Sequence, residues 1–350
     1  GGEAPPGPLP AVEVTIAGHP EFGHTFSRGD GYFDIAANGG GYWRLAFKRE
    51  GYLPVYRLVH LPWNDYALID DVVLTEPGSL EPVVLSQTDG VSIAGEQSDD
   101  TAGPRTPRVV FTPGTRAWRV PRDGSPREEL ESFSVQITEF TVGPYGKQKM
   151  PAELPATTAY TFAVDLKVFA DDGTGNIVAV HDPVEFEQDH PAILYVENFV
   201  GFPVGWPVPL GWYDPLCGCD GANGAAKDSS CGCWRPQDDG MVLRVLSIQT
   251  PPDEPAYAEV DADGATVPAI DAYELEQIAQ FYGEDDTFWR VPLTHLSPED
   301  CNGPPLPNPG PSGPDPDDPD PNPGPGPGPG GSGGSGGSGG TGGSGGSGGT

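Results

Sequence analysis

Short apolar runs that alternate with polar positions dominate the N-terminal part of the chain. In Ala11–Ala17, the side chains of Val12, Val14 and Ile16 fall on one face, which is the period-two pattern of a half-buried strand. Similar runs recur about every 8–12 residues between Gly and Asp turns, at Tyr32–Ala36, Tyr42–Phe47, Val55–Leu61 and Asp71–Leu74. This spacing predicts a small Ig-like β-sandwich of about seven strands over residues 8–76.

The same pattern of short apolar runs between turn residues extends through residues 77–301. Prolines such as Pro151 and Pro203 would break a helix in this region. We therefore expect a second, β-rich domain over residues 77–301. Its predicted strands are Arg108–Phe111, Ala117–Val120, Phe133–Val142, Tyr160–Val168, Val184–Phe186, Ile193–Val196 and Met241–Ile248.

Residues 271–282 are the one segment with a clear helical pattern. Asp271 is positioned to cap this helix, and Glu274 stands where it would complete a capping box. We expect the helix to pack on the core and to end at Gly283. The apolar stripe that faces the core would consist of Leu275, Ile278, Ala279 and Tyr282.

The composition changes sharply after Cys301. Residues 302–350 contain no aromatic residue and one Leu, in a Pro/Asp-rich stretch followed by Gly/Ser-rich repeats. Such a segment cannot bury enough apolar surface to offset the entropy of ordering it. We expect a disordered tail that serves as a tether.

The charge balance narrows the classes of partner. Lys and Arg number 18 against 51 Asp and Glu, which gives a net charge of −33. A phosphate backbone or an anionic membrane would be repelled, so we expect no nucleic-acid partner. No apolar run approaches the length that spans a bilayer, about 18 residues, so we expect no membrane insertion. Since the chain begins at Gly1 without Met, we expect a processed product or a fragment.

Motifs for catalysis are lacking in the sequence. His19 and Glu21 have the H-x-E spacing of a zinc deaminase, but no Pro-Cys-x-x-Cys partner completes the metal shell. There is no H-E-x-x-H, no G-x-S-x-G and no phosphate-binding loop with Lys. We expect a protein that is not an enzyme and that needs no cofactor.

Four of the five cysteines form two C-x-C pairs in an insert over residues 214–234, at Cys217, Cys219, Cys231 and Cys233. Structural zinc prefers C-x₂₋₄-C, because two intervening residues let both sulfurs face one ion. Two disulfides are therefore favoured over a metal site or free thiols in an oxidising compartment, and their pairing stays open. Cys301 is left over.

A second weak site is the acidic stretch Glu259, Asp261 and Asp263. Aligned on Gly264, these acids occupy the first three odd positions of an EF-hand loop. The twelfth position is Ile270 instead of the bidentate Glu that calcium needs. The stretch is either a plain Asp-Gly turn or a weak Ca²⁺ site.

Several blocks of sequence are familiar. Pro8–Ile16 and Thr25–Asp34 resemble the carboxypeptidase-regulatory-like (transthyretin-like) sandwich. More specific blocks occur in order over the remainder, and together they resemble the N-terminal part of bacterial RHS/YD-repeat proteins related to teneurins. These blocks are His19–His24, Asn38–Gly41, Lys48–Val55, Pro62–Tyr66, Glu139–Pro144, Met150–Pro155, Tyr195–Gly205 and Trp289–His295.

The resemblance implies a structural function. In such proteins a transthyretin-like domain and a fibronectin-like plug precede a YD-repeat shell, which encloses a toxin or serves contact between cells. It implies a secreted or cell-surface bacterial protein whose partner is the shell or another protein surface. No YD repeat occurs in this chain.

Residues that would contact such a partner are large and apolar. They are either an interface or part of the second domain's own core, and they comprise Phe199, Phe202, Trp206 and Trp212. The alternative function is an extracellular adhesion module that binds carbohydrate or calcium.

Overall fold

The computed structural model of the chain describes residues 6–154, 161–215, 217 and 232–301. The chain divides into two units, Gly1–Leu306 and Pro307–Thr350, and every described residue belongs to the first. The tail predicted for residues 302–350 lies outside the described residues. Within them the fold is mainly β, as expected from the sequence.

The N-terminal region forms one antiparallel sheet. Its strands are β1 (Glu13–Ile16), β2 (His24–Phe26), β3 (Gly41–Lys48) and β4 (Val55–Leu61), with a 3-10 turn over Pro20–Phe22. They pair in the order β2-β1-β3-β4. The predicted first strand is confirmed, because Val12, Val14 and Ile16 are all buried.

Two other predicted strands of this region do not form. Tyr32–Ala36 and Asp71–Leu74 have no ladder, so the predicted number of strands in residues 8–76 is too high. The alternation identifies the buried side chains correctly but not the partners of the backbone. The Val73 N–H, for example, donates to the Gln148 carbonyl. The side chains that still pack on the core include Phe33, Ile35, Val72 and Leu74.

Among its described residues, the remaining region contributes two α-helices and twenty strands. The strands of its first half are β5 (Leu80–Val84), β6 (Val91–Ala94), β7 (Ser98–Asp100), β8 (Gly103–Arg105), β9 (Arg108–Phe111), β10 (Ala117–Arg119), β11 (Glu128–Leu130), β12 (Ser132–Glu139), β13 (Phe162–Asp171), β14 (Ile177–Ala179), β15 (Val184–Phe186) and β16 (Ala192–Glu197), with α1 at Gly146–Lys149. Those of its second half are β17 (Pro207–Val208), β18 (Leu210–Asp214), β19 (Cys233–Pro236), β20 (Gly240–Gln249), β21 (Tyr257–Asp261), β22 (Thr287–Leu293), β23 (His295–Leu296) and β24 (Pro298–Cys301), with α2 at Ala272–Phe281.

Two seven-stranded sheets enclose the main core of this region. One has the order β19-β18-β24-β13-β12-β5 with β14 beside β13, and the other has the order β17-β20-β22-β16-β9-β6 with β21 beside β20. One apolar cluster takes Val135 and Leu166 from the first sheet and Leu194 and Val242 from the second. Side chains shared between two sheet faces are the core of a β-sandwich. The four-stranded sheet β11-β10-β15-β23 adds Phe186 to the same cluster.

Helix α2 confirms the predicted helix and its cap. The Asp271 carboxylate accepts a hydrogen bond from the Tyr273 N–H, and the Glu274 carboxylate accepts one from the Asp271 N–H. The capping box is therefore complete. Ile278 and Tyr282 are buried in a second apolar cluster with Tyr195 and other side chains of the sheet that contains β16. The helix is therefore an element of the core.

Candidate functional site

Two of the four candidate interface residues, Phe199 and Phe202, meet on one core residue, Trp289 of β22. The Phe202 ring stacks on the Trp289 ring with centroids 5.5 Å apart and an interplanar angle of 11°. The Phe199 centroid lies 5.4 Å from the same ring. Phe199, Phe202 and Trp206 are half-buried and pack against the main core of the second region. One side of each is thus fixed by the core, while part of each stays accessible to solvent.

Asn198 holds this aromatic segment in place. Its Oδ1 accepts the Phe202 N–H and the Trp289 Nε1–H, both at 2.9 Å. Its Nδ2 donates to the Phe202 carbonyl at 2.8 Å and to Thr287 Oγ1 at 3.1 Å. With all of its amide groups engaged, Asn198 fixes the conformation of the loop after β16. Sequence reasoning missed this residue, because its partners are distant in sequence.

A buried arginine lies beneath the same segment. The guanidinium of Arg105 donates to both Asp100 carboxylate oxygens at 3.0 Å and, from Nε, to Glu139 Oε1 at 2.6 Å. Its Cζ lies 4.5 Å from the centre of the Phe199 ring. The hydrogen bonds from Arg105 hold the pKa of Asp100 far below its usual value. The aromatic segment therefore packs on an arginine that is held by two carboxylates.

Trp212 lies in different surroundings. Its ring meets the His295 ring edge-on with centroids 4.3 Å apart. Arg235 covers it from β19, with Cζ 5.7 Å from the ring centre. Trp212 is half-buried, and its ring contacts are not with Trp289.

The N-terminal sheet is joined to the second region through Arg57 on β4. The guanidinium donates to the Met150 carbonyl at 3.0 Å and to the Gln148 carbonyl at 2.6 Å. Burial lowers the pKa of Arg57. Beside it, the Tyr56 N–H donates to the Pro151 carbonyl at 2.7 Å. These bonds extend the edge of the sheet onto a segment of the second region.

Apolar contacts reinforce this junction. Leu53 is buried in one cluster with Phe140, Met150 and Ala163 of the second region. Because side chains from both regions share this cluster, apolar contacts cross the domain boundary that the sequence predicts between residues 76 and 77. A shared apolar cluster of this kind opposes independent movement of the two regions.

The cysteine insert begins beside the junction. Tyr213 of β18 lies 5.5 Å from Tyr56 between ring centroids. Gly232, at the other side of the insert, has φ +93, and an added Cβ would lie 2.2 Å from the Tyr213 hydroxyl. Only glycine fits that position.

The described part of the chain contains one disulfide, between Cys217 and Cys233, with Cα atoms 5.7 Å apart. It joins the ends of β18 and β19 at the base of the insert, so a disulfide is confirmed and this pairing is resolved. Cys219 and Cys231 lie outside the described residues. Cys301 is a free and buried thiol, and burial raises its pKa well above the usual value.

Two of the three acids of the predicted calcium site, Asp261 and Glu259, are engaged by other side chains. Arg244 donates to Asp261 at 2.6 Å, and the Ser247 hydroxyl donates to Glu259 at 2.8 Å. Asp263 lies in the following turn with φ +50. Among the described residues, no group of three or more His, Cys, Asp or Glu side chains is placed to hold a metal ion. The structure thus does not assemble Glu259, Asp261 and Asp263 into a metal site, and His19 is likewise paired with Glu21 at 2.9 Å.

A buried acidic group lies where the described chain ends. Glu299 of β24 accepts from the Ser297 hydroxyl and from Gln237 Nε2, both at 2.8 Å. Asp165 of β13 lies across the ladder, opposite Pro298. Burial raises the pKa of Glu299 and raises the pKa of Asp165 to about 7. This group could not be predicted from the sequence, because acids in a strand ordinarily face water.

Neither helix in the described part of the chain is long and apolar enough to cross a membrane.

The N-terminal fold has a family counterpart. Residues 4–74 match the family model of the teneurin TTR-like domain, so this region is teneurin-like. The match spans the four-stranded sheet and the segments that cover its core.

The curated relatives are animal proteins. The chain is 42% identical to Teneurin-3 of Danio rerio over 67 residues, which are 19% of this chain and 2% of the relative. It is 45% identical to Teneurin-m of Drosophila melanogaster over 53 residues, 15% of the chain and 2% of the relative. Teneurin-1 of Caenorhabditis elegans matches at 37% over 127 residues, 36% of the chain and 4% of the relative. That alignment is longer than residues 4–74, so the similarity extends beyond the family match.

Proposed function

We propose that the chain is a non-enzymatic structural and interaction module of a secreted or cell-surface protein of the teneurin-like, RHS/YD-repeat type. The junction is the observation that carries this proposal. An adaptor must fix one domain relative to the next, and Arg57 and Leu53 tie the teneurin-like sheet to the second region by hydrogen bonds and by a common core. Interfaces inside one chain that lack such ties allow relative motion.

In this proposal, the second region plugs or supports a YD-repeat shell, in the setting of toxin delivery or adhesion. Phe199, Phe202 and Trp206 would bury their remaining accessible surface against the shell. Aromatic side chains that are already fixed on one side lose little entropy on binding, and such residues are typical anchors of interfaces. Asn198 and Arg105 would keep them in position.

The test is a calorimetric titration of the chain with a purified YD-repeat shell, which measures the affinity. Phe202→Ala with Trp206→Ala should lower the affinity by about tenfold or more, because two anchors are lost. Leu246→Ala, on an exposed apolar residue of β20, is the matched control and should leave the affinity unchanged. A double variant that keeps its unfolding midpoint and binds the shell as tightly as the parent would defeat the proposal.

The adhesion alternative, with carbohydrate or calcium as ligand, stays a prediction. Calcium that binds only the folded state must raise the unfolding midpoint. An unchanged midpoint in excess calcium would remove the calcium version.

A further inference from the structure

A cluster of exposed aromatic and aliphatic side chains lies at one end of the N-terminal sheet. In the segment after β4, Trp63 is 72% exposed, Tyr66 92% and Leu68 96%. On the strands just before, Tyr42 of β3 and His60 of β4 are also exposed, with ring centroids 4.9 Å apart. We call these five residues the aromatic end patch. Large apolar groups gathered in this way on a soluble surface mark interaction sites.

The base of the aromatic end patch is fixed by two glycines. An added Cβ on Gly39 would lie 2.3 Å from the Pro62 carbonyl oxygen, and one on Gly40 would lie 2.1 Å from Trp63 Nε1. The Gly40 N–H also donates to the Leu61 carbonyl at 2.7 Å. The Trp63 indole therefore rests directly on backbone, and its outer surface is presented in a set position. Preorganised aromatic residues bind at a low entropic cost.

The aromatic end patch continues a surface that the molecule already uses for contact. Tyr42 pairs with His60 across the ladder, and the next pair on the same face is Arg44 with Leu58. Arg44 is buried under the second region, with Cζ 5.9 Å from the centre of the Tyr213 ring. Tyr42, two residues away, is 56% exposed. The second region thus covers one part of this sheet face and leaves the aromatic part open.

The charge around the aromatic end patch restricts what can cover it. Residues 58–104 contain nine acids and no Lys or Arg. The exposed Asp65 lies in the segment that carries Trp63 and Tyr66, and the exposed Asp70 and Asp71 follow Leu68 closely in sequence. A second copy of this chain would bring a like charge of −33, and an anionic bilayer would also be repelled. Charge complementarity favours a partner with a positive rim.

We propose that the aromatic end patch is a docking surface for a partner protein that presents an apolar pocket edged by Lys and Arg. Trp63 and Tyr66 enter the pocket, and the neighbouring aspartates meet its basic edge. This surface is separate from the aromatic residues around Trp289, so the proposal does not depend on binding of a YD-repeat shell.

A random-peptide phage library, selected against the intact chain, tests the chemistry directly. Selected peptides should combine Trp, Phe or Leu with Lys or Arg, and their affinity should fall as NaCl is raised. Trp63→Ser with Tyr66→Ser should weaken them by about tenfold or more. Ile177→Ser with Val178→Ser, on the exposed strand β14, is the matched control and should not change their affinity.

Three outcomes would overturn the proposal. The first is selected peptides that lack basic residues or that bind the Trp63/Tyr66 variant as tightly as the parent. The second is self-association in sedimentation that the variant abolishes, and the third is binding to phosphatidylcholine vesicles that the variant abolishes. Tyr66→Ser alone guards against misfolding, because a side chain exposed to 92% can be truncated without disturbing the sheet.

Discussion

Two arginine–carboxylate ion pairs, one from each region of the molecule, lie in different surroundings. In the N-terminal region, Arg28 and Asp34 pair at 2.5 Å with both side chains largely exposed. In the second region, Arg290 and Glu274 pair at 2.7 Å with both side chains buried. Water and salt screen the first pair, whereas loss of one partner from the second leaves a charge in an apolar setting. The same kind of ion pair therefore contributes little to stability at Arg28 and is structural at Arg290.

The cores differ in a related way. The second region encloses its core between two complete sheets. The N-terminal sheet is covered by irregular segments, and one edge of it bonds to the second region. We infer that the second region is the more self-sufficient of the two.

Arg290→Ala should give the largest effect, a loss of about 3–5 kcal/mol in the free energy of unfolding. Glu274 would stay buried with only Tyr195 and the Asp271 N–H as partners. Urea unfolding measures this change. Arg28→Ala, the control in the N-terminal region, should change the stability far less. Equal effects of the two substitutions would contradict the contrast between the regions.

Removal of the Cys217–Cys233 disulfide, by double substitution to Ser, should lower the free energy of unfolding by about 3 kcal/mol. The disulfide restricts the unfolded chain by closing a loop across a sequence separation of 16, and the variant regains that freedom. Thermal unfolding with and without reductant measures it. The N-terminal region contains no cysteine, but it shares a core cluster with the second region, so its signals should shift together with those of the second region. Peptide mapping should recover this pair intact and Cys301 as a free thiol. Recovery of Cys217 bonded elsewhere would contradict the assignment.

Arg57→Ala should lower the free energy of unfolding by about 1–3 kcal/mol. The Met150 carbonyl loses its donor, and the Gln148 carbonyl keeps only the Val73 N–H. The parent should unfold in one calorimetric transition, and the variant should show an earlier, separate transition of the N-terminal region. Arg57→Lys should recover part of the loss. A single unsplit transition in the Ala variant would show that Leu53 and its apolar neighbours suffice to couple the regions.

The buried Asp165 should make the second region less stable as the pH rises. Its folded pKa of about 7 lies above the unfolded value of about 3.9. The contribution of Asp165 to the free energy of unfolding is therefore fully present in acid. It is lost as the pH rises through 7, by at most about 1.4 kcal/mol per pH unit. Asp165→Asn should flatten the stability profile between about pH 4 and pH 7. Asp172→Asn, in the loop after the same strand, should leave the profile as it is, since Thr174 holds the pKa of Asp172 at about 2.

Local patterns in the sequence were sufficient for the regular parts of the fold. Arg108–Phe111 and Val184–Phe186 form strands with the predicted bounds, and helix α2 differs from the predicted range by a single residue at each end. Alternating apolar residues and a capping box act over a few residues, so they can be recognised from sequence alone.

Features set by distant partners could not be predicted in this way. Strand β24 consists of Pro, Glu, Asp and Cys, a composition that is unusual for a central strand. It nevertheless pairs with a strand on each side, β13 and β18. Arg57 and Asn198 are polar residues whose role depends on carbonyls and rings far along the chain. For the candidate site, the sequence indicated the aromatic residues but not the groups that hold them.

Strand β24 also has a mechanical consequence. It lies between β13 and β18, and the chain continues from Cys301 into residues 302–350. A pull on that continuation acts along the strand, so it must shear two ladders together instead of peeling one strand from an edge. It must also drag the buried side chains of Glu299 and Cys301 out of their packed surroundings. Tension would therefore be met by the interior of the sheet, which makes β24 an anchor against force.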